Sequence, residues 1–161
     1  MTFNVLVLCT GNSARSILGE MLFNHLGTGR VRAWSAGSKP GGVVNPVAIE
    51  TLQKHGVPCE GARSKSWDEF AVQPAPTIDF IFTVCDNAAA ETCPVWPGHP
   101  ATAHWGIPDP AHVEPIEARR AAFEEAYQSL KTRIDAFLAL PLETMTLQES
   151  ALAARRIHTG S

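Results

Sequence analysis

Residues 5–16 read "VLVLCTGNSARS", and this stretch restricts the fold more than any other. Asn4 to Leu8 is a short, unbroken apolar run, the pattern of a strand buried on both faces. From Ser16 the spacing turns helical, with Ile17, Met21, Leu22 and Leu26 able to share a face, and Gly27 and Gly29 end the pattern. Only a tight loop separates the two. A buried strand feeding a helix this way belongs to a parallel α/β sheet, where ligands bind beyond the carboxyl ends of the strands. The thiol of Cys9 stands at that end.

The rest of the chain repeats the alternation. Val31 to Ala36 reads as a second strand, and "KPGG" at Lys39–Gly42 as a loop. Asn45 as N-cap and Pro46 at the first helical position predict a helix to about His55, stopped by Gly56. Thr77 to Val84 predicts a strand. Glu114 to Leu140 predicts a long helix with a stripe through Ile116, Phe123, Leu130, Ile134 and Phe137. This order implies a parallel sheet with helices on both faces. Residues 1–140 are expected to form a single domain and residues 141–161 a C-terminal extension. In that extension Thr146 and Glu149 can form a capping box for a short helix before a frayed end.

Composition narrows the function. A chain of 161 residues has room for one proper core. A net charge of −3 excludes a basic nucleic-acid surface. No apolar run reaches the length of a membrane span, and the N-terminus lacks the features of a secretory signal, so a cytoplasmic location is expected. In that compartment the four cysteines point to transient or catalytic chemistry rather than to structural staples.

The loop itself suggests which chemistry. Backbone N–H groups of Thr10, Gly11, Asn12, Ser13, Ala14 and Arg15, at the N-terminus of a helix, can converge on a tetrahedral oxyanion, which the helix dipole also attracts. Arg15 adds a fork able to hold two oxygens. Gly11 allows close backbone approach, and Asn12 can hold the loop with a positive φ. The same positive field lowers a thiol's pKa, so Cys9 is expected to be largely thiolate at neutral pH, with Ser16 able to donate a hydrogen bond to it. A nucleophile beneath an oxyanion cup reads as attack on the central atom. Separately, "HWGIPDPA" at His104–Ala111 carries Asp109 between two prolines. That is either a turn former or a stiffly presented general acid.

"CTGNSARS" resembles the catalytic loop of the low-molecular-weight tyrosine phosphatase fold, and within it most resembles that of the arsenate reductases. The resemblance covers about residues 3 to 138. It implies a three-layer α/β fold with a four-stranded parallel sheet flanked by helices, Cys9 as nucleophile, Arg15 as oxyanion clamp and Asp109 as proton donor. The thioredoxin-coupled reductases resemble this chain in three places: the cysteine loop, "HWG…DPA", and two later cysteines, Cys85 and Cys93, in "TVCDNAAAETCPVWPG". If the strand ending at Cys85 lies beside the first, as in this fold, both thiols emerge at one sheet edge. Neighbouring strands are about 4.8 Å apart, close to disulfide reach. The expected function is then reduction of arsenate to arsenite by a relay through Cys9, Cys85 and Cys93. The expected electron donor is external, thioredoxin or else glutaredoxin or glutathione, with no bound cofactor and with phosphate or sulfate as substrate mimics. Two features depart from the pattern: Ala14 stands where many relatives carry another cysteine, and seven residues separate Cys85 from Cys93.

The alternative is a phosphatase that hydrolyses phosphate monoesters through a Cys9 phospho-enzyme; Ala111 and His112, rather than aromatic walls, argue against it. A non-catalytic oxyanion sensor would have no need of Asp109. Cys59 reads as a spare small hydrophobe. The spacing of Cys85, Cys93, His99 and His104 does not suit structural zinc, so no metal is expected. Asn12, Glu20 and Ser35 match positions that hold a potassium ion in some reductases of the family, unless the Lys65 ammonium takes that place. Trp34, Trp67, Trp96 and Trp105 read as core and rim packing.

Overall fold

The computed structural model describes residues 2–70, 77–84 and 101–159, with side chains to residue 157. Four parallel strands, β1 (Phe3–Leu8), β2 (Val31–Ala36), β3 (Phe80–Thr83) and β4 (Ala101–His104), form one sheet in the order β2-β1-β3-β4. β1 is central, with Leu6 paired to Trp34 on one side and to Ile81 on the other. Its residues Val5 to Leu8 are almost wholly enclosed, as the continuous apolar run predicts. This agrees with the α/β class and the four-stranded parallel sheet expected from the sequence.

Among the described residues four helices accompany the strands: α1 (Arg15–Leu26), α2 (Pro46–Lys54), α3 (Ile116–Leu138) and α4 (Leu147–Thr159). α1 is buried along eight consecutive residues, Ser16 to Phe23. Gly19 lets it lie close to β1, since a Cβ there would sit 3.0 Å from a methyl of Val7. On this face Phe23, Phe80, Phe82, Trp105 and Phe137 of α3 form a cluster of stacked and edge-on rings. Each fully buried ring contributes about 1.5–3 kcal/mol of transfer free energy. On the opposite face a 3-10 turn, Trp67–Phe70, sets Phe70 against Trp34.

Local chemistry sets the element ends. Asn45 accepts from Val47 N through its side chain at 2.9 Å, and Pro46 starts α2. α3 begins two residues later than its sequence pattern, because Pro115 disfavours helix at the residue before it. β3 is shorter than the expected 77–84, since Asp79 and Thr77 are engaged with Asn4 through side-chain bonds. The capping box before α4 is present: Glu149 N donates to Thr146 Oγ1 at 3.0 Å, and Thr146 N to Glu149 Oε1 at 2.9 Å. Residues 141–161, set apart by the sequence as an extension, add Leu142 and Ala154 to the packed core. α4 lies against β4, and Trp105 Nε1 donates to Ala154 O at 2.8 Å. Small alanine faces give no strong sequence signal, so this docking was not legible in the pattern.

Candidate active site

The loop from Cys9 to Ala14 joins β1 to α1 at the carboxyl edge of the sheet. Cys9 is buried, and its N–H donates to Ala36 O at 3.2 Å. Asn12 has φ 45° and is fully enclosed. Its amide nitrogen donates to Ser16 Oγ (2.8 Å) and Ser35 Oγ (2.9 Å), and its oxygen accepts from Lys65 N (2.8 Å). An asparagine tolerates the left-handed conformation, and here three hydrogen bonds fix it there. Ser16 uses a lone pair on Asn12, so its proton remains available to a further acceptor.

A second segment shapes the cup from behind. Lys39 N, Gly41 N and Asn45 N donate to the carbonyls of Thr10 (3.0 Å), Gly11 (3.1 Å) and Ser13 (2.8 Å). A trans peptide points its N–H opposite to its carbonyl. The Gly11 and Ala14 N–H groups therefore face away from that segment, toward the open side of the loop. Gly37 makes this packing possible: a Cβ there would lie 2.4 Å from Thr10 O and 2.5 Å from Cys9 O.

The open side is a cavity of about 320 Å³ lined by Cys9, Thr10, Gly11, Ser13, Ala14 and Arg15, and also by Asn45, Asp109, Ala111 and His112. Arg15 Nη1 donates to Ile107 O at 2.9 Å, and its Nη2 lies 3.7 Å from Asp109 Oδ2. Asp109 is partly exposed, and its Oδ1 accepts from Ala111 N at 2.9 Å. Thus the structure brings together Cys9, Arg15 and Asp109, while Asn12 and Ser16 stand behind the cup as its supports. The two later thiols, Cys85 and Cys93, lie outside the described residues, as do Trp96 and His99. Cys59 is half-buried against the core, and the described residues include no cluster of metal-ligating side chains.

Beneath the loop lies a buried polar network. Ser35 Oγ donates to Glu20 Oε1, and Lys65 Nζ is 3.5 Å from the same oxygen. Burial raises the Glu20 pKa, with Lys65 and Ser35 opposing; burial lowers that of Lys65, with Glu20 opposing. The ammonium of Lys65 therefore shares the pocket formed by Asn12, Glu20 and Ser35. Sequence reasoning missed Gly37, Asn45, Ile107 and His112 as parts of the site. Of these only the glycine, directly after β2, carried a signal.

Comparisons with known proteins place the chain in a family. Residues 4–151 match the family described as Low molecular weight phosphotyrosine protein phosphatase. An arsenate reductase of Shouchella clausii is 33% identical over 131 residues, 81% of this chain and 91% of its own. Among solved structures, a tyrosine phosphatase of Erwinia amylovora superposes with a TM-score of 0.64 at 26% identity, covering 84% of this chain and 90% of its own. A thioredoxin-dependent arsenate reductase of Corynebacterium glutamicum superposes at 0.58 and 23% identity, over 83% and 62%, a likeness of fold. With a cysteine loop, Arg15 and Asp109 lining one cup, and residues 4–151 matched by the family, the chain is an enzyme that belongs to the low molecular weight phosphotyrosine protein phosphatase family.

Proposed function

We propose that the protein reduces arsenate to arsenite. The observation that carries this reading is the convergence of Cys9, Arg15 and Asp109 on one oxyanion-sized cup. The similarity to arsenate reductases supports the substrate. In the first step the Cys9 thiolate, favoured by Ser16 and the α1 N-terminus, attacks arsenic. Asp109 gives its proton to the departing oxygen, which leaves as water, and arsenic stays pentavalent. Arg15 and the loop N–H groups hold the remaining oxygens.

The second step sets a reductase apart from a hydrolase. Cys85 attacks the Cys9 sulfur, the sulfur–arsenic bond breaks, and its electron pair moves to arsenic, which becomes trivalent and departs as arsenite. A Cys9–Cys85 disulfide remains. Cys93 then attacks Cys85, freeing Cys9, and an external dithiol such as thioredoxin, or glutaredoxin or glutathione, reduces the Cys85–Cys93 disulfide. The strand register supports the Cys9–Cys85 exchange: Val84, just before Cys85 in the chain, donates its N–H to Leu8 O, just before Cys9, at 2.9 Å. The cation place beside Asn12, Glu20 and Ser35 is assigned to the Lys65 ammonium, so equal activity in potassium and sodium is expected. The enzyme is assigned to the cytoplasm, where such reductants are found; no described helix is long and apolar enough to cross a membrane.

The test is arsenite release under each reductant, with mass mapping of the disulfide left behind. Cys85→Ser is expected to bind arsenate yet give no repeated turnover; sustained turnover would remove the relay. The same cup, and the likeness to tyrosine phosphatases, favours a second reading, hydrolysis of phosphate monoesters. Cleavage of 4-nitrophenyl phosphate at a higher kcat/KM than arsenate reduction would make that reading primary.

A further inference from the structure

Arg133 lies outside the cup but holds the strand of chain that forms its acid wall. It projects from α3, and its Nη1 donates to the carbonyls of Trp105 (3.1 Å) and Gly106 (3.3 Å). Its Nε is buried without a hydrogen-bond partner, and no carboxylate of the described residues pairs with it. Arg133 as a whole is half-buried, but enclosing its Nε without a partner costs free energy that an aliphatic side chain of similar length would avoid. What the guanidinium provides in return is the grip on two backbone oxygens.

Those oxygens are well placed. Trp105 and Gly106 directly precede Ile107, whose carbonyl accepts from the catalytic Arg15 at 2.9 Å, and Asp109 follows two residues later. The N–H side of the same stretch is tied to the end of β3, Trp105 N to Thr83 O (2.7 Å) and Ile107 N to Val84 O (3.1 Å). Peptide planes are stiff. Fixing the Gly106 carbonyl from α3 and the Ile107 N–H from β3 fixes that plane; the φ and ψ of Ile107, narrowed by the following Pro108, then carry Ile107 O toward Arg15.

We propose that Arg133 is a positioning residue for the oxyanion reaction: it orients the 105–107 peptides so that Ile107 O holds Arg15 in its gripping pose and Asp109 faces Cys9. This rests on the oxyanion-cup reading above. The test is calorimetric titration of the full chain with inorganic phosphate, alongside arsenate turnover, for the wild type, Arg133→Met and Arg133→Lys. Arg133→Met is expected to raise the phosphate Kd and lower kcat/KM for arsenate, each about tenfold. Arg133→Lys, able to reach one carbonyl, should recover at least half of the loss on a logarithmic scale. In an Arg15→Lys background, Arg133→Met should change the Kd by less than about twofold, because the group being positioned is gone. A lower melting temperature with an unchanged Kd, or the full effect persisting in the Arg15→Lys background, would overturn the proposal. Should Arg133→Met not fold, Arg133→Lys alone decides: a Kd equal to the wild type's overturns it. A wild type that binds neither phosphate nor arsenate would instead remove the cup reading itself, and the proposal with it.

Discussion

Asp109 is a turn residue by its neighbours and the proposed proton donor by its place in the cup. Two prolines flank it, Ala111 N fixes one oxygen, and the other faces Arg15 and, at 3.9 Å, His112. Asp109→Asn keeps the shape and removes the proton. It is expected to lower kcat about 10²–10⁴-fold with little change in the KM for arsenate, read from arsenite release at saturation. Unchanged kcat would assign the proton to another donor. Gly37 is the converse case, a residue without a functional group that the site depends on. Gly37→Ala places a methyl against two backbone oxygens of the loop. It should weaken inorganic phosphate binding by about tenfold or more as the cup is pushed open. Wild-type affinity would show that the loop yields without losing its form.

Among the elements, α1 has the most demanding position, buried from Ser16 to Phe23 and carrying a carboxylate inside. Glu20 holds its proton more tightly in the folded chain than in the unfolded one, because burial raises its pKa. That favours folding most at low pH and fades as pH rises through the raised value. Lys65 brings the neutralising charge from a separate loop. Lys65→Met is therefore expected to cost roughly 3–5 kcal/mol at about pH 8, where Glu20 would be ionised without a partner. The cost should shrink at about pH 5, where Glu20 can take up a proton. Urea unfolding at the two pH values measures this; equal losses would mean that Lys65 acts only by packing. α4 is tied to the sheet by the Trp105 indole and by Arg155, whose Nε donates to Thr102 O at 3.0 Å. Ending the chain after Pro141 removes the acceptor of Trp105 Nε1 and the cover of β4. A fall in melting temperature of roughly 5–10 °C is expected by calorimetry. An unchanged transition would place α4 outside the cooperative unit.

At the scale of the molecule, what the sequence disclosed was what is local. The β1–loop–α1 unit, the Asn45–Pro46 start of α2 and the Thr146–Glu149 box each lie within a few residues of chain, so propensity and spacing reveal them. The contacts that finish the site span long separations: Lys65 with Asn12, Ile107 with Arg15, Arg133 with Trp105, Gly37 under Thr10. No periodicity reports such meetings, because they exist only once the sheet has assembled. One of them has a thermodynamic side. Since the 37–45 segment already grips the outward oxygens of the cysteine loop, the mould for a tetrahedral guest was cast when the chain folded. Little disorder is left to surrender on each encounter, so rival anions will be sorted by their radius and charge rather than by how far they can coax the loop into shape.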